Sequence, residues 1–242
     1  MSKTNAEEIN TFNQLADQWW DENGPMKPLH KLNPTRIKYI RDLTFEHFQT
    51  QSLEGLNILD IGCGAGIACE ALARLKANVT GIDAAPQSIE AALSHAQQNG
   101  LNIEYFNKKA DTFKPKQKFD IVLALEIIEH LDSPQDFIKD VSKHVHEDGL
   151  LIFSTLNRNS KSFLLGIVAA EYIMNWVPKG THEWQKFIKP SELVKMIENE
   201  GLHAFDLTGL VYNPLSDQFS LSKSDLDVNY FVAARKGKTE KE

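Results

Sequence analysis

The chain is poor in the residues from which a redox or metal framework is built. Its only two cysteines, Cys63 and Cys69, are too few for a disulfide scaffold and lack zinc-site spacing. They are expected as small buried packing residues in a reducing compartment. No uninterrupted apolar run reaches the ~18 residues of a membrane-spanning helix, and no basic segment precedes an apolar core at the start, so neither a span nor a signal peptide is predicted. Basic runs are also missing apart from the short tail at 236–241, and the formal charge is −7, which makes nucleic acid a poor partner. What remains is a chain of 242 residues, 42% hydrophobic and 24% charged, suited to one α/β domain with an insertion in the cytoplasm.

The most informative stretch is Asn57-Ile58-Leu59-Asp60-Ile61-Gly62-Cys63-Gly64-Ala65-Gly66, followed by Ile67 to Ala73. An apolar run of strand length breaks into three alternate glycines and resumes with helix formers, which predicts a buried strand, a tight turn and a helix. Glycines let backbone approach a ligand where a Cβ would collide, and the helix start offers unpaired N–H groups. A dinucleotide fingerprint would place its third small residue at position 67, which is Ile67, so that ligand class is disfavoured. Glycines at 62, 64 and 66 behind the acid Asp60 resemble the first motif of S-adenosylmethionine-dependent methyltransferases. A second acid, Asp83, closes Asn78-Val79-Thr80-Gly81-Ile82-Asp83, where a carboxylate can accept from both hydroxyls of a ribose.

In chain order, Glu7 to Trp20 has amphipathic helical spacing, and Trp19 and Trp20 are either packing residues or a lid over an apolar substrate. Asn33 is the expected cap and Pro34 the first position of a helix carrying Ile37, Ile40 and Leu43 inward. Arg36 then lies in the first turn, against the helix dipole, as a surface arginine or as the partner of an anion such as the methionyl carboxylate of a cofactor. Strands are expected at 103–106, 119–124 and 149–154, and helices at 86–98, 134–146 and 191–200. Two last strands, 203–208 and 229–234, are expected as a hairpin closed by irregular chain. After strand 103–106, Asp111 stands where an adenine edge could be met. Strands alternating with helices imply a sheet covered on both faces, with ligands outside the carboxyl ends of its strands. The chain divides into an N-terminal helical cap at 1–50, a core at 51–156 and 188–236, and an apolar helical insertion at 157–187.

Past the fourth strand lies Leu125-Glu126-Ile127-Ile128-Glu129-His130. In a helical turn Glu126, Glu129 and His130 share one face, which suits either a divalent-metal site or a base with its orienting acids. The mechanism this implies is in-line methyl transfer from a sulfonium to a deprotonated hydroxyl, with a catechol as an apt acceptor. The insertion, Phe163 to Gly180, is apolar except for a stripe of Glu171 and Asn175, and is too short to span a bilayer. It is equally suited to lie at a membrane interface, cover an apolar substrate, or form a dimer or lid contact.

From about Ile9 to Ala234 the chain resembles the ubiquinone-biosynthesis O-methyltransferases of bacteria and mitochondria. The resemblance is carried by Trp19-Trp20-Asp21, Lys27-Pro28-Leu29-His30, Asn33-Pro34-Thr35-Arg36, Asp60 to Gly66 and Glu126-Ile127-Ile128-Glu129-His130. It continues in Ser154 to Asn159, Val177 to His182, Phe187 to Pro190, Tyr212-Asn213-Pro214 and Asp227-Val228-Asn229-Tyr230. It implies a class I, Rossmann-like methyltransferase fold with a seven-stranded, mostly parallel sheet, an N-terminal helical lid and a helical insertion after the fifth strand. By the same resemblance S-adenosyl-L-methionine would meet Arg36, Asp60, Gly62, Gly64, Gly66, Asp83 and Leu125. Glu126, Glu129 and His130 would be catalytic and would hold a divalent cation, Mg or Zn. The substrates would be polyprenyl phenols and quinols at both O-methylation steps of ubiquinone synthesis, with peripheral contact to inner-membrane lipid and to a ubiquinone-biosynthesis complex. Two departures, Ala65 for a frequent glycine and Leu125 for a frequent methionine, remove no charged group. The competing readings are a methyltransferase of another phenolic small molecule and a scaffold that binds cofactor or lipid without turnover.

Overall fold

The computed structural model describes residue 13, residues 18–163 and residues 184–237. Eight strands form one sheet in the order β3-β2-β1-β4-β5-β8-β6-β7. β1 (Asn57–Ile61), β2 (Asn78–Asp83), β3 (Glu104–Asn107), β4 (Phe119–Leu125) and β5 (Val145–Leu156) pair in parallel. β8 (Asn229–Lys236) lies antiparallel between β5 and β6 (Leu202–Asn213), and β7 (Gln218–Ser222) is added antiparallel on the outer side of β6.

The central strands are near-continuous apolar runs because both faces are covered. Ile58, Ile121, Leu123, Leu150 and Ile152 point to one face, and Leu59, Ile61, Val122, Leu151 and Phe153 to the other, the period of two that a strand imposes. The first face is packed by α1 (Lys27–Phe48), α2 (Ile67–Arg74) and α3 (Pro86–Gln98), and the second by α4 (Pro134–Val141) and α5 (Pro190–Asn199).

Three sequence expectations are corrected. The sheet has eight strands rather than seven: the two last expected strands, β6 and β8, do pair antiparallel, but the chain between them is not irregular. The chain between them supplies β7, whose Phe219 and Leu221 alternate inward against the core of the first face. α1 starts at Lys27 with Pro28 in its first turn, so Pro34 is inside the helix and Arg36 is not in the first turn. Asn33 is therefore no cap; its Nδ2 donates to the Ile67 carbonyl at 3.2 Å and ties α1 to α2. α4 ends at Val141 and β5 begins at Val145, where the helix was expected to continue. A register irregularity follows, and Gly149 leaves room there for the Asp120 carbonyl, which a Cβ would meet at 2.9 Å.

Most of the expected helix at 7–20 and residues 164–183 of the insertion lie outside the described residues. Among the described residues no helix is long and apolar enough to cross a membrane.

Candidate active site

The carboxyl ends of β1, β2, β4 and β5 converge on the glycine turn. Gly62 and Cys63 donate their N–H groups to the Ile82 carbonyl at 2.8 and 3.1 Å, which folds the turn over the end of β2. Asp83 then reaches under it. Its Oδ2 accepts from Gly64 N–H at 2.9 Å and its Oδ1 from Ala85 N–H at 2.8 Å. An ionised carboxylate offers about four lone-pair positions, so these two bonds leave capacity for two ligand hydroxyls. Burial raises the Asp83 pKa, and the Ala85, Gly64 and Ala84 N–H groups oppose that shift. Asp60 is sealed beneath the turn, accepts from the Cys69 thiol at 3.3 Å, and is pushed up to about 6 by burial. Cys63 and Cys69 are buried and unlinked, and burial raises both thiols, so neither is a ready nucleophile.

The tryptophan pair closes on this turn. Gly64 has φ +54°, and a Cβ there would lie 2.3 Å from the Trp19 ring, so glycine is required both by the conformation and by the indole. The Trp20 indole N–H donates to the Ala65 carbonyl at 3.1 Å. Behind Trp20, His95 is held at 2.6 Å from Glu70 Oε1, and Arg74 is 2.8 Å from Glu70 Oε2. His95, Glu70 and Arg74 were not legible as site residues, because they meet across helices rather than in a motif. On the other side of Gly62, a Cβ would strike Ile127 at 2.4 Å, so the chain leaving β4 packs directly against the first glycine.

Beyond Leu125, which ends β4, the backbone turns sharply. Glu126 has φ +53°, a left-handed conformation rare outside glycine, and residues 128–130 form a single tight 3-10 turn. Glu126 N–H donates to the Ser154 carbonyl at 3.1 Å, and the Ser154 hydroxyl donates to Glu126 Oε1 at 2.8 Å. Asn229 Nδ2 lies 3.2 and 3.3 Å from the two carboxylate oxygens. Glu129 is buried and accepts from the Thr155 hydroxyl at 2.8 Å. Burial raises its pKa to about 7; His130 lowers it and Glu126 raises it further. Arg36, 5% exposed, points its Nη2 to within 3.8 Å of Glu126. Burial lowers its pKa, while Glu126, Asp60 and Glu129 act in the opposite sense.

Arg36, Asp60, Gly62, Gly64, Gly66, Asp83, Leu125, Glu126, Glu129 and His130 are thus gathered at one edge of the sheet. Glu126, Glu129 and His130 do not share a helical face, because the left-handed residue at 126 precedes the 3-10 turn. Among the described residues no group of three His, Cys, Asp or Glu side chains stands together as a metal site. As arranged, these side chains are not assembled round a divalent cation; Glu126 accepts from Ser154 and Asn229, and Glu129 from Thr155. Ser154, Thr155 and Asn229 were missed as site residues, although they fall in motifs of the family resemblance. Asp111 Oδ1 is buried without a hydrogen-bond partner in the loop after β3, which suits the expected base-edge contact.

A family model described as a methyltransferase domain matches residues 31–205. Among solved structures, the chain is similar to magnesium protoporphyrin IX methyltransferase from Synechocystis with bound SAH, at TM-score 0.67 and 16% identity, covering 94% of this chain and 95% of that one. It is also similar to the N-methyltransferase NodS of Bradyrhizobium japonicum in complex with S-adenosyl-L-homocysteine, at TM-score 0.61 and 16% identity, covering 96% and 99%. These likenesses show the fold. In sequence, it is 46% identical to the ubiquinone biosynthesis O-methyltransferase of Rhodopseudomonas palustris (strain BisA53), over 96% of this chain and 94% of that protein. It is 44% identical to the protein of the same name from Methylobacterium nodulans, over 95% and 94%. At that identity over nearly the whole length, joined to a methyltransferase fold and its glycine turn, the chain belongs to the ubiquinone-biosynthesis O-methyltransferase family.

Proposed function

We propose that this protein uses S-adenosyl-L-methionine to methylate a ring hydroxyl of polyprenyl catechols and demethylubiquinols, and so serves both O-methylation steps of ubiquinone biosynthesis. The substrate class rests on near-full-length identity to relatives of that name. The donor rests on one observation above the others: the Asp83 carboxylate, pinned by Gly64 and Ala85 N–H groups, lies at the mouth of a glycine turn with accepting capacity to spare.

The donor supplies an electrophilic methyl group on sulfur, so the protein has mainly to bind, orient and remove one proton. Arg36, whose Nε and Nη2 have no hydrogen-bond partner, suits the methionyl carboxylate. Asp83 suits the ribose, and Leu125 and the glycine turn flank it. Glu129 is the base assigned to the phenolic proton, since a carboxylate raised to about 7 is both ionised and basic near neutral pH. His130, next in the same turn, is the second candidate. Glu129 would take the O–H proton while the phenolic oxygen bonds to the methyl carbon, and a bound sulfonium donor would leave as a neutral thioether, its sulfur keeping the S–CH3 pair.

The test is transfer of labelled methyl from the donor to a prenylated catechol, with a short-chain phenol as comparison and with and without chelator. Transfer confined to the short phenol would overturn the substrate class. Chelator sensitivity would assign Glu126 and Glu129 to a metal in addition to their bonds with Ser154, Asn229 and Thr155. Reversible attachment to the inner membrane is proposed for the segment 157–187, and a ubiquinone-biosynthesis complex is a proposed partner of the protein. Equal pelleting of wild type and a Leu164→Glu, Ile167→Glu variant with liposomes would remove the lipid contact.

A further inference from the structure

Arg36 and Glu126 are opposite charges at the head of the cleft, yet they do not bond. Their nearest N–O distance is 3.8 Å, beyond hydrogen-bond range, and Arg36 Nε and Nη2 are buried with no hydrogen-bond partner. A guanidinium and a carboxylate this close in a partly desolvated site attract strongly, and a forked pair is the arrangement they ordinarily reach. Something must hold the carboxylate back. The Ser154 hydroxyl takes Oε1 at 2.8 Å, and Asn229 Nδ2 bridges both oxygens at 3.2 and 3.3 Å.

Asn229 opens β8, pairs with Leu156 and Leu210, and so stands at the same carboxyl edge as Glu126. Its Oδ1 is buried without a partner. The orientation of the amide is therefore set by the carboxylate, not by a bond on its other side. The left-handed backbone of Glu126 adds to this: its N–H is tied to the Ser154 carbonyl at 3.1 Å and hydroxyl at 3.2 Å, which aims the side chain toward β5 and β8.

We infer that Asn229, with Ser154, is a positioning residue that holds Glu126 off Arg36 and so keeps the guanidinium open for the carboxylate of the incoming sulfonium donor. This rests on the assignment of Arg36 to that carboxylate under the proposed function. Without the amide, Glu126 closes on Arg36 as an internal competitor that the donor must displace.

The experiment is calorimetric binding of S-adenosylhomocysteine, which needs no acceptor and no turnover. Asn229→Ala is expected to weaken binding about tenfold, the effect of having to break a charge-assisted pair. Asn229→Asp, nearly isosteric, repels Glu126 and gives the same loss, which covers the case in which the alanine variant does not fold. In a Glu126→Gln background the competitor is gone, and either substitution should then change affinity less than about twofold. Equal losses in both backgrounds would mean that Asn229 only supports the strand, and would overturn the inference. Unchanged affinity in the single variants would do the same. Arg36→Ala separates the underlying assignment: unaltered binding there defeats the Arg36 reading itself, whereas weakened binding together with additive losses defeats only the role of Asn229.

Discussion

The Trp20 indole lies flat on the His95 imidazole, ring centres 3.5 Å apart and planes 8° from parallel. His95 is itself fixed by Glu70, which is fully buried in α2, so the stack joins α2 and α3 to the segment that covers the glycine turn. The indole N–H completes the link at the Ala65 carbonyl.

Trp20→Ala removes a stacked aromatic pair and a hydrogen bond, together worth about 2 kcal/mol. For a chain of this length that corresponds to a fall in Tm of roughly 4–8 °C in scanning calorimetry. A Trp20→Ala protein melting with wild type would show that the segment does not brace the turn.

Glu129 yields a pH prediction with a definite sign. Its folded pKa is raised from 4.5 to about 7 by burial. The stability this contributes is fully present below about 4.5 and is lost as pH rises through about 7. Glu129→Gln carries no such titration, so denaturant melts should show the variant gaining on wild type across that window. In turnover the sign is opposite, because the base must be ionised: kcat/KM should fall on the acid side with an apparent pKa near 7. Glu129→Gln should lose that limb and about 100-fold or more in rate, with S-adenosylhomocysteine binding retained. A variant with wild-type turnover would remove the assigned base.

The features read from sequence are those whose chemistry is contiguous. The strand, glycines and acids of 57–66 and 78–83 carry their spacing in the chain itself, and the structure brings them together as expected. The acids after β4 were legible as residue types but not as geometry. A helical turn at 126–130 assumes right-handed backbone from the first residue, and the φ of +53° at Glu126 breaks that face. Asn33-Pro34 has the chemistry of a helix start, but Pro28, an equally good first-turn residue, stands six positions earlier and begins the helix. β7 has a five-residue alternation between turn residues, a weak signal that acquires meaning once β6 is beside it. Asn229 lies 103 residues from Glu126, so no local pattern could join them.

Asp83 should tolerate neither removal nor amidation. Both of its oxygens accept from backbone N–H groups, so Asp83→Asn sets an NH2 donor against either Gly64 or Ala85 N–H. Asp83→Ala loses those bonds and the two expected from the ribose, each about 1.5–3 kcal/mol for a charged acceptor. Both variants should bind S-adenosylhomocysteine at least ~100-fold more weakly by calorimetry. Retained affinity in Asp83→Asn would place the ribose elsewhere.

Asp111 should behave differently, because its work is remote from the reacting sulfur. Its Oδ1 is buried and unpartnered, while the neighbouring Ala110 carbonyl is held by His144 Nε2 at 2.9 Å, so the loop that presents it is fixed. An acceptor held in this way suits the amino edge of an adenine, and one such bond to a charged group is worth about 1.5–3 kcal/mol. Asp111→Ala should therefore weaken donor and product binding about 10- to 100-fold. With donor at saturation, kcat should stay near wild type, since the interaction is the same in the ground and transition states. A fall in kcat with unchanged donor affinity would move Asp111 from the base to the acceptor side of the cleft.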